Sequence, residues 1–140
     1  MERLRHCTRR LEFDAAHRVM RHESKCKNLH GHRYVADVTC AAAELDPLGR
    51  VIDFGVVKTL VGGFVADYWD HGCLLNREDE KLIDLCAKEG WRLYVMPANP
   101  TAENLAEALH GHAQKLLAPS GIEVARVRMY ETPNCWADFP

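Results

Sequence analysis

Cys26-Lys27-Asn28-Leu29-His30-Gly31-His32-Arg33-Tyr34-Val35-Ala36-Asp37-Val38-Thr39 is the stretch on which the reading of this chain turns. From about His30 to Glu44 it carries Tyr34, Val35, Val38 and Thr39, types that favour extended backbone, and it reads as a strand. Strand side chains repeat every second residue. His30 and His32 therefore share a face, roughly 6.5–7 Å apart, and can converge on one ion. A third imidazole, His17, follows the alternating stretch Leu11-Glu12-Phe13-Asp14-Ala15. Three neutral imidazoles with no fourth protein ligand leave one coordination position open, as catalytic zinc requires. The expected cofactor is one zinc ion on His17, His30 and His32.

The tripeptide recurs as His110-Gly111-His112, inside a segment with helical periodicity. Residues i and i+2 of a helix point about 200° apart and cannot share an ion. His112 is expected in the helix seam and His110 in water, with neither on the metal.

Working outward, about Arg5 to Asp14 reads as a strand paired with the first, and the polar stretch Arg18–Asn28 joins the two. Asp46-Pro47-Leu48-Gly49 is a turn. Val57, Leu60, Val61, Phe64, Val65 and Tyr68 form a helical stripe. Gly62 and Gly63 weaken that helix by roughly 1 kcal/mol each, which close packing on a neighbour would explain. Trp91–Val95 is a short strand, and Asn99-Pro100-Thr101 starts a second helix. Leu105, Leu109, His112 and Leu116 mark its face, and it ends near Pro119-Ser120-Gly121. Glu123–Glu131 alternates as a strand, so that the chain ends on a strand or strand pair. The expected architecture is a single α+β domain over 1–140, an antiparallel sheet with two helices on one face.

A net charge of −2 excludes general nucleic-acid binding and an anionic-membrane partner, but not a local basic pocket for a phosphorylated small molecule. No apolar run approaches the roughly 20 residues of a membrane span. Met1-Glu2-Arg3-Leu4-Arg5-His6 has no apolar stretch behind it, so no secretory signal is expected. Cys7, Cys26, Cys40, Cys73, Cys86 and Cys135 are then read as reduced thiols in a cytoplasm rather than a disulfide set.

Other side chains offer chemistry beside the histidines. Cys26 is either a fourth ligand or small hydrophobe, or a thiolate favoured by a nearby cation. In Asp70-His71 the carboxylate can fix the imidazole tautomer for proton relay, or the pair can simply end a helix. Glu131, at the end of the last strand, can accept two hydrogen bonds from an amino-pyrimidine edge, or face water. Thr101 and Glu103 cap and charge the second helix.

Phe13-Asp14-Ala15-Ala16-His17, Cys26-x-x-x-His30-Gly31-His32, Val51-Ile52-Asp53-Phe54, Asp70-His71, Leu75-Asn76, Pro100-Thr101-Ala102-Glu103-Asn104 and Tyr130-Glu131-Thr132-Pro133 occur in that order. Together they resemble the 6-pyruvoyltetrahydropterin synthase family over nearly the whole chain. The cysteine–histidine spacing and the ending Glu131-Thr132-Pro133-Asn134-Cys135-Trp136-Ala137 resemble its bacterial branch that makes 6-carboxytetrahydropterin for queuosine. The resemblance implies the tunnelling fold, assembled as an oligomeric barrel of trimers or hexamers with active sites at subunit interfaces. It implies conversion of 7,8-dihydroneopterin triphosphate to 6-carboxytetrahydropterin, acetaldehyde and triphosphate. Cys26 would accept the proton, Asp70 and His71 would relay protons, and Glu131, with Thr101 and Glu103, would hold the pterin. Arg18, Arg21, Lys25 and Lys27 are candidates for the triphosphate; Cys73 has no assigned role. The folate-synthesis branch carries glutamate at the cysteine position, so Cys26 argues against it. Alternatives are 6-pyruvoyltetrahydropterin as product, a zinc hydrolase, or a non-catalytic zinc- and pterin-binding protein.

Overall fold

In the computed structural model, which describes residues 3–140, the two long strands read from the sequence form one antiparallel pair. Strand β1 (Arg5–His17) runs against β2 (His30–Ala42) in unbroken register from Arg5 opposite Ala42 to His17 opposite His30. Met1 and Glu2, the start of the segment read as lacking a secretory signal, lie outside the described residues. Period-2 alternation buries Leu11, Phe13, Ala15 and His17 on one strand and Tyr34, Ala36, Val38 and Cys40 on the other. Phe13 and Tyr34 stack with centroids 5.1 Å apart. Large side chains removed from water this completely contribute roughly 1.5–3 kcal/mol each.

Helix α1 (Phe54–Tyr68) covers β1. Asp53 caps it, its Oδ1 accepting from the Gly55 N–H at 2.9 Å. Val57, Val61 and Val65 of the expected stripe are buried, whereas Leu60 and Tyr68 are exposed. A Cβ on Gly62 would stand 3.3 Å from Leu11 Cδ2, so the close approach expected of the glycine pair is present there. Gly63 faces open space.

Four further strands follow, and the first of them escaped the sequence reading. Strand β3 (Gly72–Asn76) lies parallel to the end of β1, and β4 (Leu93–Met96) lies parallel to β3. Parallel neighbours need a crossover. Between these two it is α2 (Glu80–Glu89), a third helix beyond the two expected, closed by Gly90 at φ 71°. Helix α3 (Ala102–Leu117) packs on β5 (Glu123–Thr132), which pairs antiparallel with β2 and then with β6 (Cys135–Phe139). The six-stranded order is β4-β3-β1-β2-β5-β6, a mixed sheet: antiparallel from β1 through β6 and parallel from β1 to β4.

The buried stripe of α3 is Ala102, Leu105, Ala106, Leu109, Ala113 and Leu117, with Leu117 rather than Leu116 completing it. His112 sits in the seam as expected, stacked on Phe64 and 3.0 Å from the Tyr94 hydroxyl. His110 differs from expectation: it is half-buried, and its Nε2 donates to the Val124 carbonyl at 2.8 Å. The opposite face of the sheet carries charge instead of helices. Arg10 forks onto Asp37 across the first pair, Arg33 meets Asp14, and Arg128 forks onto Asp138. All six cysteines are free thiols, and no helix among the described residues is long and apolar enough to cross a membrane.

Candidate metal centre and active site

The histidines meet because of register. His17 and His30 are direct cross-strand partners, and His32 lies opposite Ala15 on the same face. His17 Nε2 is 3.1 Å from His30 Nε2, which is 3.1 Å from His32 Nε2. His17 Nδ1 lies 2.6 Å from the Pro100 carbonyl, and His30 Nδ1 lies 2.7 Å from the Asn28 carbonyl. A carbonyl oxygen only accepts, so both Nδ1 atoms carry the proton and both Nε2 atoms present lone pairs. Burial pushes the His17 pKa down to about 4; the Pro100 hydrogen bond opposes this and neighbouring His30 and His32 add to it. His17, only 1% exposed, is therefore neutral at pH 7.

Bare lone pairs 3.1 Å apart repel one another, and a cation between them removes the conflict. A tetrahedral zinc with Zn–N of about 2.0–2.1 Å holds its nitrogens about 3.3 Å apart, close to the spacing found. Carbonyl partners on the far ring nitrogens are what metal-ligating histidines commonly have. The donor set fits zinc. Tyr34 floors the cluster, its ring edge-on to His17 and His32, and its buried hydroxyl has no hydrogen-bond partner.

Of the other expected site residues, Glu131 is brought closest, with Oε2 3.5 Å from His17 Nε2. Cys26 lies in a 3₁₀ turn (Lys25–Lys27), half-buried, with its sulfur outside the group of ligand atoms that cluster within 4.8 Å. Asp70 and His71 form a separate cluster with Asp14. His71 Nδ1 is 2.9 Å from Asp70 Oδ2, and the Asp14 backbone N–H donates to Asp70 Oδ1 at 3.0 Å. Burial alone would raise the Asp70 pKa; the Asp14 N–H and the His71 side chain more than offset it and leave the carboxyl below its ordinary value.

Asp14 pairs with Arg33 on the charged face, whereas His17, three residues on, points to the buried face. His71 holds φ 59° and its side chain is 76% exposed. A cavity of about 530 Å³ there is lined by residues of both clusters, His32 and His71 among them. Thr101 caps α3, its hydroxyl accepting from the Asn104 N–H, and Glu103 is exposed in the first turn.

Two sequence-level ambiguities narrow. Burial and neighbouring Cys86 push the Cys73 thiol up to about 11, so it is not a second thiolate at pH 7. Arg18, one of four basic candidates for triphosphate, is already committed: it forks onto the fully buried Asp79 at 2.6 and 2.8 Å. Arg21 and Lys27 line a cavity of about 280 Å³ at the same loop. Sequence reasoning missed Pro100, Asp79 and Asn99 as site residues. Asn99 and Pro100 carried a helix-start signal, and Pro100 also opens one of the resemblance motifs; Asp79 carried no mark.

Residues 6–140 match the family described as 6-pyruvoyl tetrahydropterin synthase. The chain is 43% identical over 136 residues to the 6-carboxy-5,6,7,8-tetrahydropterin synthase of Rickettsia conorii, covering 94% of this chain and 97% of that one. It is 29% identical to the protein of the same name from Aquifex aeolicus, covering 91% and 92%. Among solved structures, an uncharacterized protein of Wolinella succinogenes superposes with a TM-score of 0.85 at 21% identity, covering 97% of each chain. The Caenorhabditis elegans 6-pyruvoyl tetrahydropterin synthase gives 0.70 at 24%, covering 98% of this chain and 95% of that one. The expected tunnelling fold is the fold observed.

Proposed function

Since the chain belongs to the 6-pyruvoyl tetrahydropterin synthase family, we propose that it is a zinc-dependent 6-carboxytetrahydropterin synthase. It converts 7,8-dihydroneopterin triphosphate to 6-carboxytetrahydropterin, acetaldehyde and triphosphate, as a cytoplasmic step toward queuosine. The observation that carries the reading is the convergence of three imidazole Nε2 atoms, two of whose rings, His17 and His30, are oriented by the Pro100 and Asn28 carbonyls. Relatives at up to 43% identity that bear the carboxy-synthase name support that product over the pyruvoyl one.

Zinc on His17, His30 and His32 would supply Lewis acidity toward the side-chain hydroxyls of the substrate, stabilising charge as a neighbouring proton leaves. Cys26, outside the ligand group, is left to take that proton at its sulfur. Glu131, bordering the histidines, orients the pterin by accepting from its amino and ring N–H groups, and Thr101 and Glu103 assist it. Arg21, Lys25 and Lys27 face the triphosphate. Asp70 holds the His71 imidazole by its Nδ1, leaving Nε2 free to pass a proton.

His71 is strongly exposed on the charged face of the sheet. This favours an assembly in which it serves the histidine centre of a neighbouring copy, as trimers or hexamers would allow. The test is incubation of the zinc-loaded protein with 7,8-dihydroneopterin triphosphate and mass analysis of the products. Acetaldehyde with 6-carboxytetrahydropterin is expected. Pyruvoyltetrahydropterin would transfer the chain to the other synthase, and unchanged substrate would reduce it to a binding protein.

A further inference from the structure

Four successive residues leave the end of β1, and each is tethered differently. His17 is held through Nδ1 by the Pro100 carbonyl, and Arg18 by buried Asp79. The Val19 N–H donates to the Cys26 carbonyl at 2.9 Å, closing the loop that carries the thiol. Met20 is gripped at both ends by one side chain. Its N–H donates to Asn99 Oδ1 at 3.1 Å, and its carbonyl accepts from Asn99 Nδ2 at 3.1 Å. A side-chain amide here takes the place of a strand partner.

Asn99 is itself held from two sides. Its Oδ1 also accepts from Nδ2 of Asn76, a residue 3% exposed at the end of β3. Its backbone carbonyl accepts from Asn104 Nδ2 and from the Thr101 N–H, each at 2.9 Å. The next residue is Pro100, whose carbonyl fixes the His17 tautomer. One residue thus stands between the group that orients a metal ligand and the loop that presents Cys26.

We propose that Asn99 is a positioning residue that couples the histidine centre to the Cys26 loop, fixing the Pro100 carbonyl on His17 and the Met20 backbone in one rigid unit. The inference rests on the reading of the three histidines as a zinc centre. It goes beyond that reading by assigning a residue that touches neither metal nor thiol.

The test uses the full chain and two readouts that need no pterin: zinc affinity by chelator competition, and the rate of Cys26 alkylation by iodoacetamide, read on the Cys26 peptide by mass spectrometry. Partners behind a metal ligand typically change affinity about 10–100-fold when removed. Asn99→Ala is expected to weaken zinc binding by that factor and to speed Cys26 alkylation severalfold. Leu109→Ala, a core truncation in α3, should lower Tm while leaving both readouts at wild-type values. Asn99→Asp keeps the acceptor for Met20 and Asn76 but loses the donor to the Met20 carbonyl. It should shift both readouts in the same direction by less, and it serves if Asn99→Ala does not fold. If the Asn99 variants lower Tm as Leu109→Ala does and move neither readout, Asn99 only supports the fold and the inference is wrong. Wild-type protein that binds no zinc would instead overturn the proposed function, and the alkylation rates would still decide the coupling of Asn99 to the loop.

Discussion

His30-Gly31-His32 and His110-Gly111-His112 show one tripeptide given opposite tasks by its backbone. On β2 the two rings converge with His17; on α3 His110 bonds the Val124 carbonyl and His112 stacks on Phe64. His30→Ala is expected to abolish bound zinc, measured as metal per chain by mass spectrometry. His110→Ala should keep full metal and cost about 1 kcal/mol in urea unfolding, the usual worth of such a hydrogen bond. Loss of zinc from the His110 variant would mean the wrong pair was chosen. Cys26→Ala should retain zinc and lose turnover. Arg18→Ala strands the Asp79 carboxylate in the core and should cost on the order of 3 kcal/mol, the penalty for breaking a buried pair from one side. A loss below about 1 kcal/mol would place that pair among ordinary surface bridges.

At the scale of the elements, Gly62 and Gly63 are adjacent in α1 and should respond oppositely. A methyl at Gly63 meets nothing within 4 Å, so Gly63→Ala should stabilise by about 0.5–1 kcal/mol through helix propensity. At Gly62 it would stand 3.3 Å from Leu11 Cδ2, so the same substitution should gain less or destabilise. Equal gains in urea midpoint at both positions would remove the packing argument.

The long elements were legible because their apolar periods run over many residues. Of the short ones β4 was read, as Trp91–Val95, but α2 and β3 were not, for physical reasons. Helix α2 does carry an apolar face, Leu82, Ile83 and Cys86, among five charged residues, but it spans only ten residues, too short a run for its period to stand out. Strand β3 is five residues, four of them buried or nearly so, without the alternation that marks a half-covered strand. The histidine centre was readable because three ligands fall on two long strands. The anchors Pro100, Asp79 and Asn99 were not, because backbone carbonyls and side chains 61 to 83 positions away leave no local pattern.

For the molecule as a whole, the division between the histidine cluster and the Asp70–His71 pair is the main consequence of the fold. If neighbouring copies complete each other's sites, mixing inactive His30→Ala and His71→Ala chains and allowing exchange should restore about a quarter of wild-type activity, the random yield of intact pairings in a symmetric oligomer. No recovery after verified exchange would confine the site to one chain.

Everything further depends on a three-histidine centre with one open position and a cysteine that is not a ligand. Zinc K-edge X-ray absorption on the loaded, substrate-free protein measures this directly. The expected result is three imidazole nitrogens at about 2.0–2.1 Å with one further light atom. A sulfur shell at about 2.3 Å would put Cys26 on the metal and contradict the proposed proton acceptor.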